Sequence, residues 1–145
     1  MVLPFSEIIE AVKERLKYIA GKRAANDTFF YYQHTACAAD MPVLLKFAEQ
    51  TLAWLSIGLG SRCGGYAVQN DMLNIEIDSP PEGREAEVET LLTEAIVAGI
   101  ILRWLRLTGF SPIEPWETQA ADHLERLGAS LRGRSRLGRR PLSPI

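Results

Sequence analysis

Cysteine is scarce in this chain: Cys37 and Cys63 are the whole supply among 145 residues, with no Cys-x-x-Cys pair. That excludes a disulfide-stapled secreted scaffold and leaves two free thiols as the plain expectation, in a reducing compartment. Long apolar runs are missing too. The most hydrophobic stretch, Ala95 to Leu102, is closed off by Glu94 and Arg103, far short of the ~20 residues a membrane span requires. The first residues, Met-Val-Leu-Pro-Phe-Ser-Glu, lack the basic region followed by an apolar one that marks a secretory leader. An excess of either charge is also lacking: 16 basic residues stand against 18 acidic ones, a formal −2. No global basicity points to nucleic acid. What is present is 47% hydrophobic and 23% charged residues, enough to build one well-filled globular core.

The hydrophobic spacing predicts a mainly α chain. Ile8, Ile9, Val12, Leu16 and Ile19 recur at helical intervals after Ser6, a cap-type residue, and Gly21 is a stop signal. The aromatic run Phe29-Phe30-Tyr31-Tyr32 reads as a strand or packed turn. Asp40 and Pro42 open a second helix carrying Leu44, Phe47, Ala48, Thr51, Leu52, Leu55 and Leu59, and Gly58, Gly60, Gly64 and Gly65 read as the loop that ends it. Leu73, Ile75 and Ile77 alternate with Asn74, Glu76 and Asp78, the pattern of a half-buried strand. Turn residues Gln69, Asn70 and Asp71 would join it to Tyr66–Val68 as a hairpin.

Ser79-Pro80-Pro81-Glu82 has the form of a capping box, with Gly83 able to delay the start. The long helix it introduces runs to about Leu107, acidic at its start and basic at its end, in keeping with the helix dipole. Its second half is apolar on every side, which places it at the centre of the fold, and Gly99 within it calls for a close helix neighbour. After the Gly109 stop, a last helix opens at a Ser111–Glu114 box or at Pro115. It carries Ala120, Leu124, Leu127 and Leu131 on one stripe. The expected architecture is a four- to five-helix bundle with a small β-hairpin or single strand near 66–78. It divides into a helical domain, 1–131, and a flexible Arg-rich tail, 132–145.

Charge is unevenly distributed along this layout. The tail holds Arg132, Arg134, Arg136, Arg139 and Arg140 with no acid, while the remainder holds eleven basic and eighteen acidic residues. Most of that deficit lies in 71–94, where Asp71, Glu76, Asp78, Glu82, Glu85, Glu87, Glu89 and Glu94 face one base, Arg84. An acidic body and a basic tail attract, and in a ring of identical subunits the contact repeats. A solvated acidic helix face with a free tail is the simpler alternative. Non-specific contact with DNA phosphates is a third.

Nothing in the chain composes a catalytic motif. His34, Cys37, Cys63 and His123 are the only soft ligands, and one short His-x-x-Cys spacing falls below the paired spacings of a structural zinc site. Whether those four meet in space is not decided by their spacing. The glycine loop 58–65 lacks the preceding strand and the Gly-Lys of a phosphate cradle. Glu85 and Glu89 share a helix face that the dipole explains without chemistry. Trp54, Trp104 and Trp116 sit on helical stripes as core or interface anchors. No catalytic residue, cofactor or metal is expected, and the chain reads as a protein that is not an enzyme.

The order of elements carries a resemblance. A capped N-terminal helix, a second helix and an acidic strand precede Ile77-Asp-Ser-Pro-Pro-Glu-Gly83. Then follow the long helix Glu94-Ala-Ile-Val-Ala-Gly-Ile-Ile-Leu-Arg-Trp-Leu105, an amphipathic helix and an Arg-rich end. In this layout, over residues 1–131, the chain resembles head–tail connector, or head-completion, proteins of tailed phages and prophages. The resemblance implies a non-enzymatic virion subunit, assembled in the host bacterial cytoplasm, forming a homo-oligomeric ring that contacts portal and tail proteins, with no membrane role. Ile96, Ile100, Ile101, Trp104 and Leu105 would then belong to the core helix, and the tail arginines to a contact with a neighbour, the portal or DNA. The competing expectation is a small soluble regulatory or nucleic-acid-binding module that works through the basic tail.

Overall fold

A computed structural model describes residues 1–24 and 28–132. The chain begins with a short strand, β1 (Val2–Pro4), and passes directly into α1 (Phe5–Ala24). A short helix, α2 (Thr28–His34), and a turn at Ala38–Asp40 lead to α3 (Met41–Leu59). A hairpin follows, β2 (Cys63–Gln69) and β3 (Met72–Ile77), then the long α4 (Glu85–Thr108) and finally α5 (Glu114–Leu131). The protein is thus a mainly helical bundle with a small antiparallel sheet, as the hydrophobic spacing indicates.

The organising element is α4. From Ala95 to Leu102 every residue is buried, as are Trp104 and Leu105. Burying a helix on all sides takes several neighbours, and α1, α3 and α5 supply them. Arg15 of α1 meets Glu94, and Lys22, two turns on, lines a pocket with Phe110 just past the end of α4, so α1 runs parallel to α4. The pairs Ser130–Glu87 and Glu117–Arg106 set α5 antiparallel to it. The helix N-terminus is delayed to residue 85. The Ser79–Glu82 box does not form, because Gly83 takes a left-handed φ of 83° and reverses the chain first. No side chain caps α5 either; it starts at Glu114 with Pro115 in its first turn.

The sheet has three strands, in the order β1-β3-β2. Leu3, Leu73 and Ile75 face the core, and β2 lies against α3. Asn70 and Asp71 both adopt left-handed φ, 49° and 61°, the signature of a tight two-residue hairpin turn. Three expectations are corrected here. The Cys63-Gly64-Gly65 segment is strand rather than loop: it pairs with Glu76 and Ile77, across a register irregularity. The stretch containing Tyr31 and Tyr32 is helical rather than extended, because α1 and α2 pack on each other and tertiary contact overrides β propensity. And α1 does not stop at Gly21 but runs to Ala24; a Cβ at Gly21 would meet the Tyr31 ring at 3.8 Å, an ordinary packing contact.

At Gly99, α3 approaches α4 closely. A Cβ there would collide with Cγ2 of the fully buried Thr51, whose hydroxyl donates to the Phe47 carbonyl at 2.7 Å. Alanine at 99 gains about 1 kcal/mol of helix propensity but must push two packed helices apart. We expect Gly99→Ala to lower stability by about 1–3 kcal/mol in urea unfolding. Thr51→Ser removes the colliding methyl and keeps the hydroxyl, and should restore most of that loss in the double variant. A Gly99→Ala protein as stable as the parent would contradict this packing.

Candidate functional site

Two features of the described surface stand out chemically: a furrow between α1 and α5, and the end of the molecule where α5 finishes. The furrow exists because α1 and α5 both pack on α4 without closing on each other, leaving Ala98 and Ile101 as its floor. One part, about 440 Å³, has Glu14, Arg15, Glu94, Gln119 and His123 on its walls. The adjoining part, about 290 Å³, is bounded by Lys22, Phe110, Pro112 and Pro115. Tyr18, Ile19 and Trp116 line both.

The polar part has a defined electrostatic arrangement. Arg15 Nη2 donates to Glu94 Oε1 at 2.8 Å. That hydrogen bond draws the Glu94 carboxyl below its ordinary value. Partial burial opposes it, and the charges of Arg15 and His123 add to the lowering. Both partners remain partly solvated, so the pair contributes on the order of 1 kcal/mol or less. His123 Nδ1 is shut away from solvent without a hydrogen-bond partner, an arrangement that costs about 1–3 kcal/mol for a buried polar group. Carboxylate, guanidinium and imidazole in a mostly apolar trough can bind and orient a polar group. Among the described residues, no serine, threonine or cysteine lines this part of the furrow.

At the other feature, Ser130 donates to Glu87 Oε1 at 3.1 Å, and Arg62 Nη1 reaches both the Leu131 carbonyl at 3.4 Å and Asp78 Oδ2 at 3.7 Å. The last turn of α5 is therefore held beside the acidic start of α4, where Glu82, Glu85, Glu87 and Glu89 are exposed. Arg132 is exposed at this point. Arg134, Arg136, Arg139 and Arg140 lie outside the described residues.

The remaining candidates are dispersed. Ile96, Ile100, Ile101, Trp104 and Leu105 are all buried within the subunit. Trp104 Nε1 donates to the His34 carbonyl at 2.8 Å. His34 is buried at the C-terminal end of α4, whereas His123 lies near Glu94, about 21 Å back along that helix at 1.5 Å per residue. Cys37 is exposed, and Cys63 is half-buried at the start of β2. Among the described residues no group of three or more His, Cys, Asp or Glu is placed to hold a metal ion, and no helix is long and apolar enough to cross a membrane. The Arg15–Glu94–His123 set was not legible in the sequence, because its members come from three helices and share no spacing.

No family model, no curated protein and no solved structure matches this chain.

His34, away from both features, gives the fold a pH signature. Thr108 Oγ1 donates to the Trp104 carbonyl at 3.1 Å, so it accepts from His34 Nδ1–H at 2.8 Å. Burial lowers the His34 pKa from its ordinary 6.5. A lowered histidine pKa means the unfolded chain binds the extra proton more readily. Its contribution is complete above the ordinary value and is lost as pH falls toward the folded one. Urea unfolding from about pH 7.5 down to about pH 5.5 should therefore show falling stability. His34→Gln, which keeps a donor, should flatten that part of the profile. An unchanged slope in His34→Gln would refute the assignment.

Proposed function

We propose that the chain is a non-enzymatic structural subunit, a head–tail connector of a tailed phage or prophage, that assembles into a homo-oligomeric ring. In this reading it occupies the virion, is assembled in the bacterial cytoplasm, and has portal and tail proteins as its other partners. The phage assignment is supported by the layout of the sequence from the capped first helix to the Arg-rich end. The observation that carries the docking role is the end of α5. Ser130 and Leu131 are held beside Glu87, Arg62 and Asp78, and in the sequence five arginines begin at the next residue, Arg132. An arm whose charge opposes that of the surface it leaves is suited to exchange onto the same surface of a neighbouring copy, since every copy offers an identical acceptor. Such a contact is electrostatic and weakens with salt.

Exposed apolar side chains add contact material. Ile57 on α3 is 81% exposed and Leu107 on α4 is 61% exposed. The apolar run of α4 is buried within the subunit, so contact between subunits falls to these outer residues and to the arm.

Sedimentation velocity of the full chain over a range of concentrations tests this reading. A discrete closed oligomer is expected at about 0.05 M salt, weakening toward about 0.5 M as the Debye length shrinks. A full-length variant with Arg132, Arg134, Arg136, Arg139 and Arg140 all changed to Ser should assemble less at every salt concentration. A chain that remains monomeric under all these conditions would contradict the proposal.

A further inference from the structure

The two parts of the α1–α5 furrow meet at Tyr18 and Trp116 and differ in chemistry. Beyond those rings one end is walled by Pro112 and Pro115, and the other carries Glu14 and Glu94. A trough with aromatic walls and an acidic end suits a proline-rich segment in the polyproline II conformation. Its rings pack on aromatic faces, and a flanking arginine pairs with the acid. The sequence holds one such segment, Arg139-Arg140-Pro141-Leu142-Ser143-Pro144. We infer that this C-terminal segment seats in its own subunit's furrow, with Pro141, Leu142 and Pro144 against Tyr18 and Trp116 and an arginine toward Glu14.

Reach and direction agree with this assignment. α5 runs from Glu114 to Leu131, and its end is the point from which the tail departs. From Leu131 back to the level of Trp116 is about 22 Å of helix at 1.5 Å per residue. Residues 133–140 span about 25 Å at the 3.1 Å rise of polyproline II. A tail returning along α5 passes His123 before Trp116, so it meets the acidic part of the furrow first and the aromatic part second. The segment has the same order: its arginines precede its prolines.

The acid that would receive an arginine has spare capacity. Glu94 is committed to Arg15 at 2.8 Å, whereas Glu14 meets Lys17 only at 3.8 Å and is mostly solvent-exposed. Lys22 stands at the far, aromatic end, 6.0 Å from the Tyr18 ring centroid, where an arginine would be repelled. This favours one orientation of the segment over its reverse. Tethering helps as well, because a segment on the same chain is presented at an effective concentration in the millimolar range. This inference and the ring proposal assign the same arm to alternative places: a single subunit stores it in the furrow, and a ring that draws it onto a neighbour leaves the furrow empty.

Solution NMR on the full isotope-labelled chain tests it. Backbone order parameters for residues 141–144 above about 0.6 are expected, with cross-peaks joining the Tyr18 and Trp116 rings to protons of Pro141 and Leu142. The full-length double variant Pro141→Ser, Pro144→Ser should shift the amide resonances of Ala98 and Gln119, leave those of the sheet in place, and release 141–144 to order parameters below about 0.6. Tyr18→Ser, at a position 69% exposed and therefore safe for folding, should release the segment equally. Low order at 141–144 in the parent chain, with furrow resonances indifferent to the proline changes, overturns the inference. Cross-peaks found only between differently labelled copies in a mixed sample overturn it too, since the segment then occupies a second molecule.

Discussion

The structure depends on one constraint: the run Ala95–Leu105 in α4 has hydrophobic side chains in almost every direction and must be shielded on all sides. Its fully buried members include Ala95, Ile96, Val97, Ile100 and Leu105. Each of the larger ones, Ile96, Val97, Ile100 and Leu105, contributes roughly 1.5–3 kcal/mol when removed from water, so no arrangement that leaves α4 at the surface competes. The remaining elements follow as coverings. α1, α3 and α5 flank the helix, and α2 closes its C-terminal end through the Trp104–His34 hydrogen bond. The sheet closes the side where β2 meets α3. Where α3 packs against α4 through Thr51, Gly99 leaves the space that Thr51 fills.

The same constraint shapes the surface. Three helices around a central one do not tile its circumference, and the gap left between α1 and α5 is the furrow. Charge is then distributed along the axis of α4. Its acidic first turns, which the helix dipole favours, sit beside the end of α5. At its other end Arg106 pairs with Glu117 at 2.7 Å. The result is a body with an acidic end, where the described chain finishes at Arg132, and a trough along one flank. Both proposals concern the basic arm. The surfaces they assign to it, the acidic end and the furrow, are ones that the burial of α4 created.

Much of the fold was legible because hydrophobic period reports burial directly. The stripes Ile8–Ile19 and Leu44–Leu59, the all-round apolar run of α4, and the alternation Leu73–Ile77 each predicted the element that forms. What was misread has tertiary causes. The Tyr31-Tyr32 stretch is helical because of its packing against α1, which no local pattern encodes. Cys63–Gly65 is strand because Ile77 and Glu76 lie opposite it; glycine alone reads as loop. β1 escaped notice because three residues are too few for an alternation, and only the pairing of Val2 with Asn74 and of Pro4 with Met72 makes a strand of them. The polar cluster of the furrow was hidden for a related reason. Arg15, Glu94 and His123 come from three helices, and only packing around α4 brings them together.

Amide hydrogen exchange across the whole chain measures the central constraint most directly. If α4 is the element on which every other one rests, the amides of Ala95–Leu105 exchange only through global unfolding. Their opening free energy then equals that of urea unfolding, and α2 and the outer strand β2 open at lower cost. Exchange of Ala95–Leu105 by a cheaper local opening, while α1 or α5 stays protected, would contradict the account.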